Sequence, residues 1–420
     1  MLKPRSIYTL VLWLLLPYIF FHLLWRARKQ PAYLHHIAER FGFFKVRSDK
    51  PVIWLHTVSV GETRAAASLV SRLQADYPGH QIVLTHTTPT GREASTQLYG
   101  NQVLRIYLPY DYPFAVQRFL LHFKPQVGVL LETEIWFNLI HQCHLASIPL
   151  LLLNARLSEK SASGYGRFAS LSKSGLSELN VVAAQSTDDA ARLSRLGAKN
   201  VTVMGNLKYD IAPPKAMLEL GQQLRITFGA DRPVFLAAST RVGEEILLLD
   251  AGKKVDVARL LTVIVPRHPQ RFDEVAALLT QRGIRFQRRS ANLPIDAETQ
   301  VVLGDSMGEM FAYYVACDIA FIGGSLLPFG GQNLIEACAV GKPVIVGAST
   351  YNFSQASQLA IEHGAAIRVQ DADSLALTLH RLLLQPEQLM QMGKAGLSFV
   401  QANRGATDIA LAEIKRVITS

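Results

Sequence analysis

Short apolar runs of four to eight residues, each followed by a stretch of helix-like pattern, recur along almost the whole chain. A strand buried on both faces reads as a continuous apolar run, and a helix between two such runs supplies the crossover that parallel pairing needs. The pattern confines the chain to α/β architecture with parallel sheets. The first runs fall at 52–56, 81–85, 103–107, 127–132, 150–154, 181–184 and 201–204, and residues 211–229, with Pro213 and Pro214, then break the series. A second series follows at 233–238, 261–265, 284–287, 301–303, 319–322, 344–346 and 366–369, and the pattern is helical from about residue 374. A chain of 420 residues exceeds what one core holds. The expected organisation is a membrane anchor with its basic flank over 1–30, a Rossmann-like domain over 31–210, a linker over 211–230, and a second Rossmann-like domain over 231–420 that includes the terminal helices. Doubly wound sheets take ligands outside the carboxyl ends of their strands, so two such units are expected to face each other across a cleft.

Residues 7–25 are almost wholly apolar or aromatic and hold no Asp, Glu, Lys or Arg. As a helix they would span roughly 28 Å at about 1.5 Å per residue, close to the thickness of a bilayer core. Pro17 can kink such a helix and His22 is polar, whereas Trp25 suits an interface. Arg26, Arg28 and Lys29 follow at once and favour keeping the rest of the chain cytoplasmic, although Lys3 and Arg5 reduce the asymmetry. No small-x-small cleavage site follows, which disfavours a secretory signal. A helix lying in the interface stays open beside a spanning one. The formal net charge of +10 suits anionic partners such as a membrane surface, a phosphorylated lipid or a nucleotide. Nucleic acid is the weaker fit, because the basic residues are scattered and no recognition module accompanies them. Cys143, Cys317 and Cys338 are far apart and form no CxxC, so they read as core residues in a reducing compartment, not as a disulfide framework or a zinc site.

Four stretches carry residues suited to chemistry. After the first strand, Ser59-Val-Gly-Glu62 turns into a helix, and a carboxylate there can take a proton from an acceptor hydroxyl. The same four residues fit a capping box, and a helix N-terminus would depress the pKa of Glu62, so base and cap stay level. At 131–138 an apolar strand ends on Glu132 and Glu134, then Trp136 and Asn138; the acids can bind sugar hydroxyls or hold a developing cation, or simply form ion pairs. Lys208, at the end of the first domain, can offset a sugar carboxylate or a leaving phosphate, or be a solvated linker residue. At 321–346 a strand runs into a glycine-rich loop, a short helix carrying Asn333, Leu334, Ile335 and Glu336, and another strand. Glycines let backbone N–H groups approach a phosphate and Glu336, about one turn into the helix, could meet ribose hydroxyls; a purely structural turn is the alternative. Pro266-Arg267-His268 and Met307-Gly308-Glu309 follow two further strands, as a phosphate contact and a base-lining turn.

In order, His-x-x-Ser-x-Gly-Glu at 56–62, Glu-Thr-Glu-Ile-Trp at 132–136, Asn-Ala-Arg-Leu-Ser at 154–158, Gly-Asn-Leu-Lys at 205–208, Ala-Ser-Thr at 238–240, Pro-Arg-His at 266–268 and Gly-Gly-Gln-Asn-x-x-Glu at 330–336 resemble the bacterial 3-deoxy-D-manno-octulosonic acid (Kdo) transferases of lipopolysaccharide assembly. The resemblance implies a GT-B fold, CMP-Kdo as donor, a lipid A precursor (lipid IVA) as acceptor, inversion at the anomeric carbon, and neither a cofactor nor a metal in the transfer. It assigns Glu62 as general base and Glu132 and Lys208 to the transition state. It assigns Pro266, Arg267, Met307, Gly308, Glu309, Asn333, Leu334, Ile335 and Glu336 to CMP. It implies the cytoplasmic side of the inner membrane, and it leaves a homo-oligomer open. Phe137 stands where the family usually has proline, and Gln332 where many members have histidine. Another GT-B transferase or epimerase using a UDP-sugar, and a non-catalytic membrane scaffold, are the competing readings.

Overall fold

The computed structural model describes residues 3–419. Its contacts divide the chain into two units, one reaching Asp210 and including the stretch from Arg404 onward, the other Ile211–Asn403. The strands of the first are β1 (Val52–His56), β2 (Gln81–His86), β3 (Leu104–Tyr107), β4 (Pro125–Leu131), β5 (Leu150–Ala155), β6 (Val181–Ala184) and β7 (Val201–Val203). Those of the second are β8 (Val234–Thr240), β9 (Leu261–Pro266), β10 (Phe286–Arg288), β11 (Val301–Leu303), β12 (Ile319–Ile322), β13 (Val344–Val346) and β14 (Ala366–Arg368). The apolar runs thus became strands, because helices between most of them cover the faces of each sheet; β10 and β11 are joined by a short 3₁₀ turn and loop instead.

The first sheet is ordered β3-β2-β1-β4-β5-β6-β7 and the second β10-β11-β9-β8-β12-β13-β14, seven strands each. All strand pairings are parallel. The direction of winding reverses between β1 and β4 in one and between β8 and β12 in the other, the places where a doubly wound sheet opens for a ligand. Alternation along β1 shows how the first sheet is covered: Val52 and Trp54 enter one apolar cluster, Ile53 and Leu55 the other. Gly128 in β4 makes room for Trp54, since a Cβ there would lie 2.6 Å from the indole.

Two boundaries differ from the expected ones. Position in the chain assigns the final helix, Ala406–Thr419, to the second domain, yet Ala406, Ala410, Leu411 and Ile414 complete the core of the first. Asp210 fixes the crossing by accepting from the backbone of Gly405 (2.8 Å) and of Thr407. The stretch expected as a linker is mostly the helix Lys215–Phe228 and belongs to the second unit. Gly221 lets it approach the helix Met310–Ala316, because a Cβ would sit 2.5 Å from Val315.

The N-terminal helix Pro4–Lys29 runs through Pro17 without a break and is long and apolar enough to cross a membrane. It is also laid against the first unit. The Tyr8 hydroxyl donates to Asp111 (2.8 Å), Thr9 donates to Asn138 (3.0 Å), and the Tyr112 hydroxyl donates to the carbonyl of Leu12 (2.7 Å). Trp13 packs on Tyr112 and Phe114, and further along Leu23 and Ala27 are buried. Phe137 meets Tyr8 edge to face, so the position that departs from the family pattern seats this helix. Apolar side chains stay exposed around much of the helix, among them Ile7, Leu10, Leu14, Tyr18, Phe21 and Trp25.

Candidate functional site

In the first unit the site is built at the carboxyl ends of β1 and β4, adjacent strands on either side of the winding reversal. After β1 the chain turns through Ser59 into the short helix Val60–Ala65, which places Glu62 in its first turn. Ser59 Oγ accepts the Glu62 N–H (3.3 Å) and donates to Glu62 Oε1 (2.9 Å), while the Val58 N–H donates to Oε2 (2.7 Å). Ser59 therefore caps the helix, but the box is not the expected one: Glu62 accepts from the Val58 N–H and the Ser59 hydroxyl in place of the Ser59 N–H, and these bonds hold the carboxylate in one orientation. The expected depression of its pKa is absent. Burial raises it first, and the charges of Glu132 and Glu134 raise it further against the opposing hydrogen bonds from Val58 and Ser59. Desolvation outweighs the terminus because the helix has fewer than two turns and its carboxylate has little water.

After β4, Glu132 adopts a left-handed backbone, φ +60°, and its carboxylate pairs with Lys208 at 3.2 Å. Lys208 comes from the short 3₁₀ turn Leu207–Tyr209 after β7, and that turn is held by buried Asn154 at the end of β5, whose Oδ1 accepts from Leu207 N (3.1 Å). Glu62, Glu132 and Lys208, far apart in sequence, are thus brought to one edge of the sheet. Glu134, the second acid of that strand end, accepts from the Trp136 indole (2.7 Å), and beside it lies a residue to which sequence reasoning gave no role: fully buried His56, whose Nε2 is 3.7 Å from Glu134. His56 opens the first family-like motif, and that was the one available signal.

In the second unit the corresponding edge lies at the carboxyl ends of β8, β9, β11 and β12. Pro266 ends β9; the Arg267 N–H donates to Thr240 O (3.0 Å) and its Nε donates to Gln332 Oε1 (3.2 Å). Gln332, the second departure from the family pattern, therefore fixes an arginine. Met307 is exposed, Gly308 takes φ +82°, and Glu309 accepts from Ser306 Oγ (2.6 Å) and faces Arg289 (3.4 Å). Asn333 Oδ1 accepts from Ile335 N (3.0 Å), and its Nδ2 donates to Glu336 Oε1 (3.2 Å). Leu334 and Ile335 are buried, so only their backbone can meet a ligand. Glu336 is the second residue of the helix Ile335–Ala339, half a turn nearer its start than the spacing suggested.

The glycine loop differs from the expected phosphate cradle. Its N–H groups are committed within the protein: Gly324 (2.6 Å) and Leu326 (3.0 Å) donate to Glu244, Gly330 to Ser349 Oγ (3.1 Å), Gly331 to Gly324 O (2.7 Å) and Gln332 to Gly323 O (3.0 Å). Glu244, fully buried, also accepts from Arg241 N (2.9 Å). Gly323 is required by closeness, since a Cβ would collide with the Ser239 carbonyl. Sequence reasoning missed Glu244, although a signal existed: Val-Gly-Glu follows the first strand of both units, at 60–62 and 242–244.

Comparison with known proteins agrees with this layout. Residues 35–211 match the family model described as 3-deoxy-D-manno-octulosonic-acid transferase (kdotransferase), and residues 283–399 match that of glycosyl transferases group 1. A glycosyltransferase from Rickettsia africae superposes with a TM-score of 0.57 at 14% identity, covering 88% of this chain and 99% of that one. The two doubly wound units are those of a GT-B glycosyltransferase. The 3-deoxy-D-manno-octulosonic acid transferase of Bordetella pertussis is 41% identical over 96% of this chain and 97% of its own length. That of Haemophilus influenzae is 39% identical over 96% of each. The chain belongs to this family and is a Kdo transferase.

Proposed function

We propose that the enzyme transfers Kdo from CMP-Kdo to a lipid A precursor, lipid IVA, with inversion and without a metal. The observation that carries this reading is the Glu62 carboxylate, held by two hydrogen bonds and made more basic by burial, beside the Glu132–Lys208 pair. As the acceptor oxygen bonds to the anomeric carbon, its proton passes to Glu62, the carbon–phosphate-oxygen bond breaks, and CMP leaves with the electron pair. Lys208 and Glu132 act on the charge that develops in that step, the lysine on the anionic parts and the carboxylate on the oxocarbenium. Pro266, Arg267, the turn Met307-Gly308-Glu309 and residues 333–336 hold CMP.

The N-terminal helix is the anchor on the cytoplasmic face of the inner membrane. It lies along the membrane instead of crossing it. A spanning helix would carry Tyr8, Thr9 and Leu12 into hydrocarbon, whereas these residues make polar contacts with the first unit. The exposed apolar side chains from Ile7 to Trp25 supply the surface that the membrane takes up, and the net charge of +10 favours anionic lipid.

The test is mass spectrometry of the product formed from CMP-Kdo and a tetra-acylated lipid A precursor by the full-length enzyme. Added Kdo mass on the lipid, with CMP released, is the expected result. Consumption of UDP-sugars in place of CMP-Kdo, or no transfer to lipid, would overturn the assignment.

A further inference from the structure

The nucleotide assignment leaves a physical gap. A nucleoside monophosphate diester brings a fixed negative charge, yet the loop amides that would ordinarily face it are occupied, two of them by the buried carboxylate of Glu244. A phosphate at this edge therefore depends on side chains beside whatever the amides at the start of the helix Ile335–Ala339 supply. Around Gly324 the structure gathers Arg241, Gln332 and Phe329, whose atoms would lie 3.3–3.6 Å from a Cβ on that glycine. The Arg241 guanidinium packs over the Phe329 ring at 4.9 Å and donates from Nη1 to His268 Nε2 at 2.9 Å. Burial, with Arg241, Arg267 and Arg271 close by, holds His268 neutral and able to accept that bond.

The charges on this side of the unit are not disposed alike. Arg271 is neutralised by Glu245 (2.6 Å) and Glu274 (3.1 Å), and Arg289 faces Glu309. Among the described residues no carboxylate pairs with the Arg241 guanidinium. Its backbone is pinned by Glu244 and its side chain by a ring and a neutral imidazole, so the cation is held in place with most of its donors unspent. Guanidinium matches phosphate by a planar fork of N–H groups, and a preorganised fork loses little entropy on binding.

We infer that Arg241, positioned by His268 and Phe329, binds the phosphate of the cytidine nucleotide. This rests on the CMP-Kdo reading above. Gln332 then has a matching task, holding Arg267 beside it.

The experiment is calorimetric titration of the full-length enzyme with CMP and with cytidine, which lacks the phosphate. Arg241→Ala should weaken CMP about 10- to 100-fold, the worth of a charge-assisted contact, while cytidine binds as before. Arg241→Lys should recover part of the loss, since it keeps the charge and loses the fork. Equal CMP affinity in wild type and Arg241→Ala overturns the inference alone. So does a matched loss for cytidine and CMP, which would make the residue structural, and so does unchanged CMP with weakened CMP-Kdo, which would move the guanidinium to the sugar carboxylate. A wild-type enzyme that binds no CMP overturns both this inference and the donor assignment.

Discussion

A carboxylate that takes a proton from a sugar hydroxyl near neutral pH must be basic enough to hold it and still enough to meet it. Glu62 meets both conditions through its surroundings: burial and two neighbouring carboxylates make it more basic, and Val58 and Ser59 fix both oxygens. Glu62→Gln should therefore cut kcat by roughly 10²–10⁴-fold with CMP affinity intact. Near-full turnover by the folded variant would refute the base. Because the folded pKa is raised, the acid limb of kcat/KM should lie above the ordinary carboxylate range. Removing the Glu132 charge by Glu132→Gln should move that limb to lower pH as well as slow the reaction, and a pH–rate profile reads both. The second Val-Gly-Glu repeat shows why the tripeptide alone decides nothing. Glu244 spends its oxygens on Arg241, Gly324 and Leu326, so it shapes a loop, whereas Glu62 bonds only within its own turn.

At the scale of one element, the N-terminal helix is coupled to the first unit through a buried acid. Asp111 accepts from Tyr8, Asn138 N (3.0 Å) and Leu139 N (2.7 Å), yet burial outweighs these bonds and pushes its pKa up to about 7. A raised folded pKa means that the native state keeps a proton the unfolded chain releases. Stability from this group is full at acid pH and is lost as pH rises from about 4 to about 7. The difference in melting temperature between wild type and Asp111→Asn, measured in detergent, should accordingly grow as pH falls through that window. A constant difference would refute the ionisation. The docked helix also makes a topological prediction. A tag at its N-terminus should be cleaved by protease added to inverted inner-membrane vesicles and spared in right-side-out spheroplasts, and the reverse result would mean that the helix crosses the bilayer.

For the whole chain the decisive event is the return of its last helix to the first unit. Ile414 is fully buried there with Leu411, beside residues of β4 and β5. Ile414→Ala should cost about 2–5 kcal/mol, the usual range for emptying such a site. Hydrogen exchange should then quicken in β4 and β5 and stay unchanged in β8 and β12. Equal loss of protection in both units would show that the helix does not act on the first core.

The alternation of apolar runs and helical stretches determined the two parallel sheets, because burial on both faces of a strand leaves a mark in consecutive residues. The motifs at 56–62, 132–136 and 205–208 likewise placed Glu62, Glu132 and Lys208 after strands of the first sheet, and the structure brings them to one edge. What tertiary structure alone decided has a different physical origin. The pKa of Glu62 depends on desolvation and on charges seventy or more positions away. The glycine loop's amides turn to a carboxylate eighty residues distant, and the last helix chooses a core by apolar fit across the chain. Local sequence carries propensity and pattern; burial, field and partner choice exist only once distant segments pack.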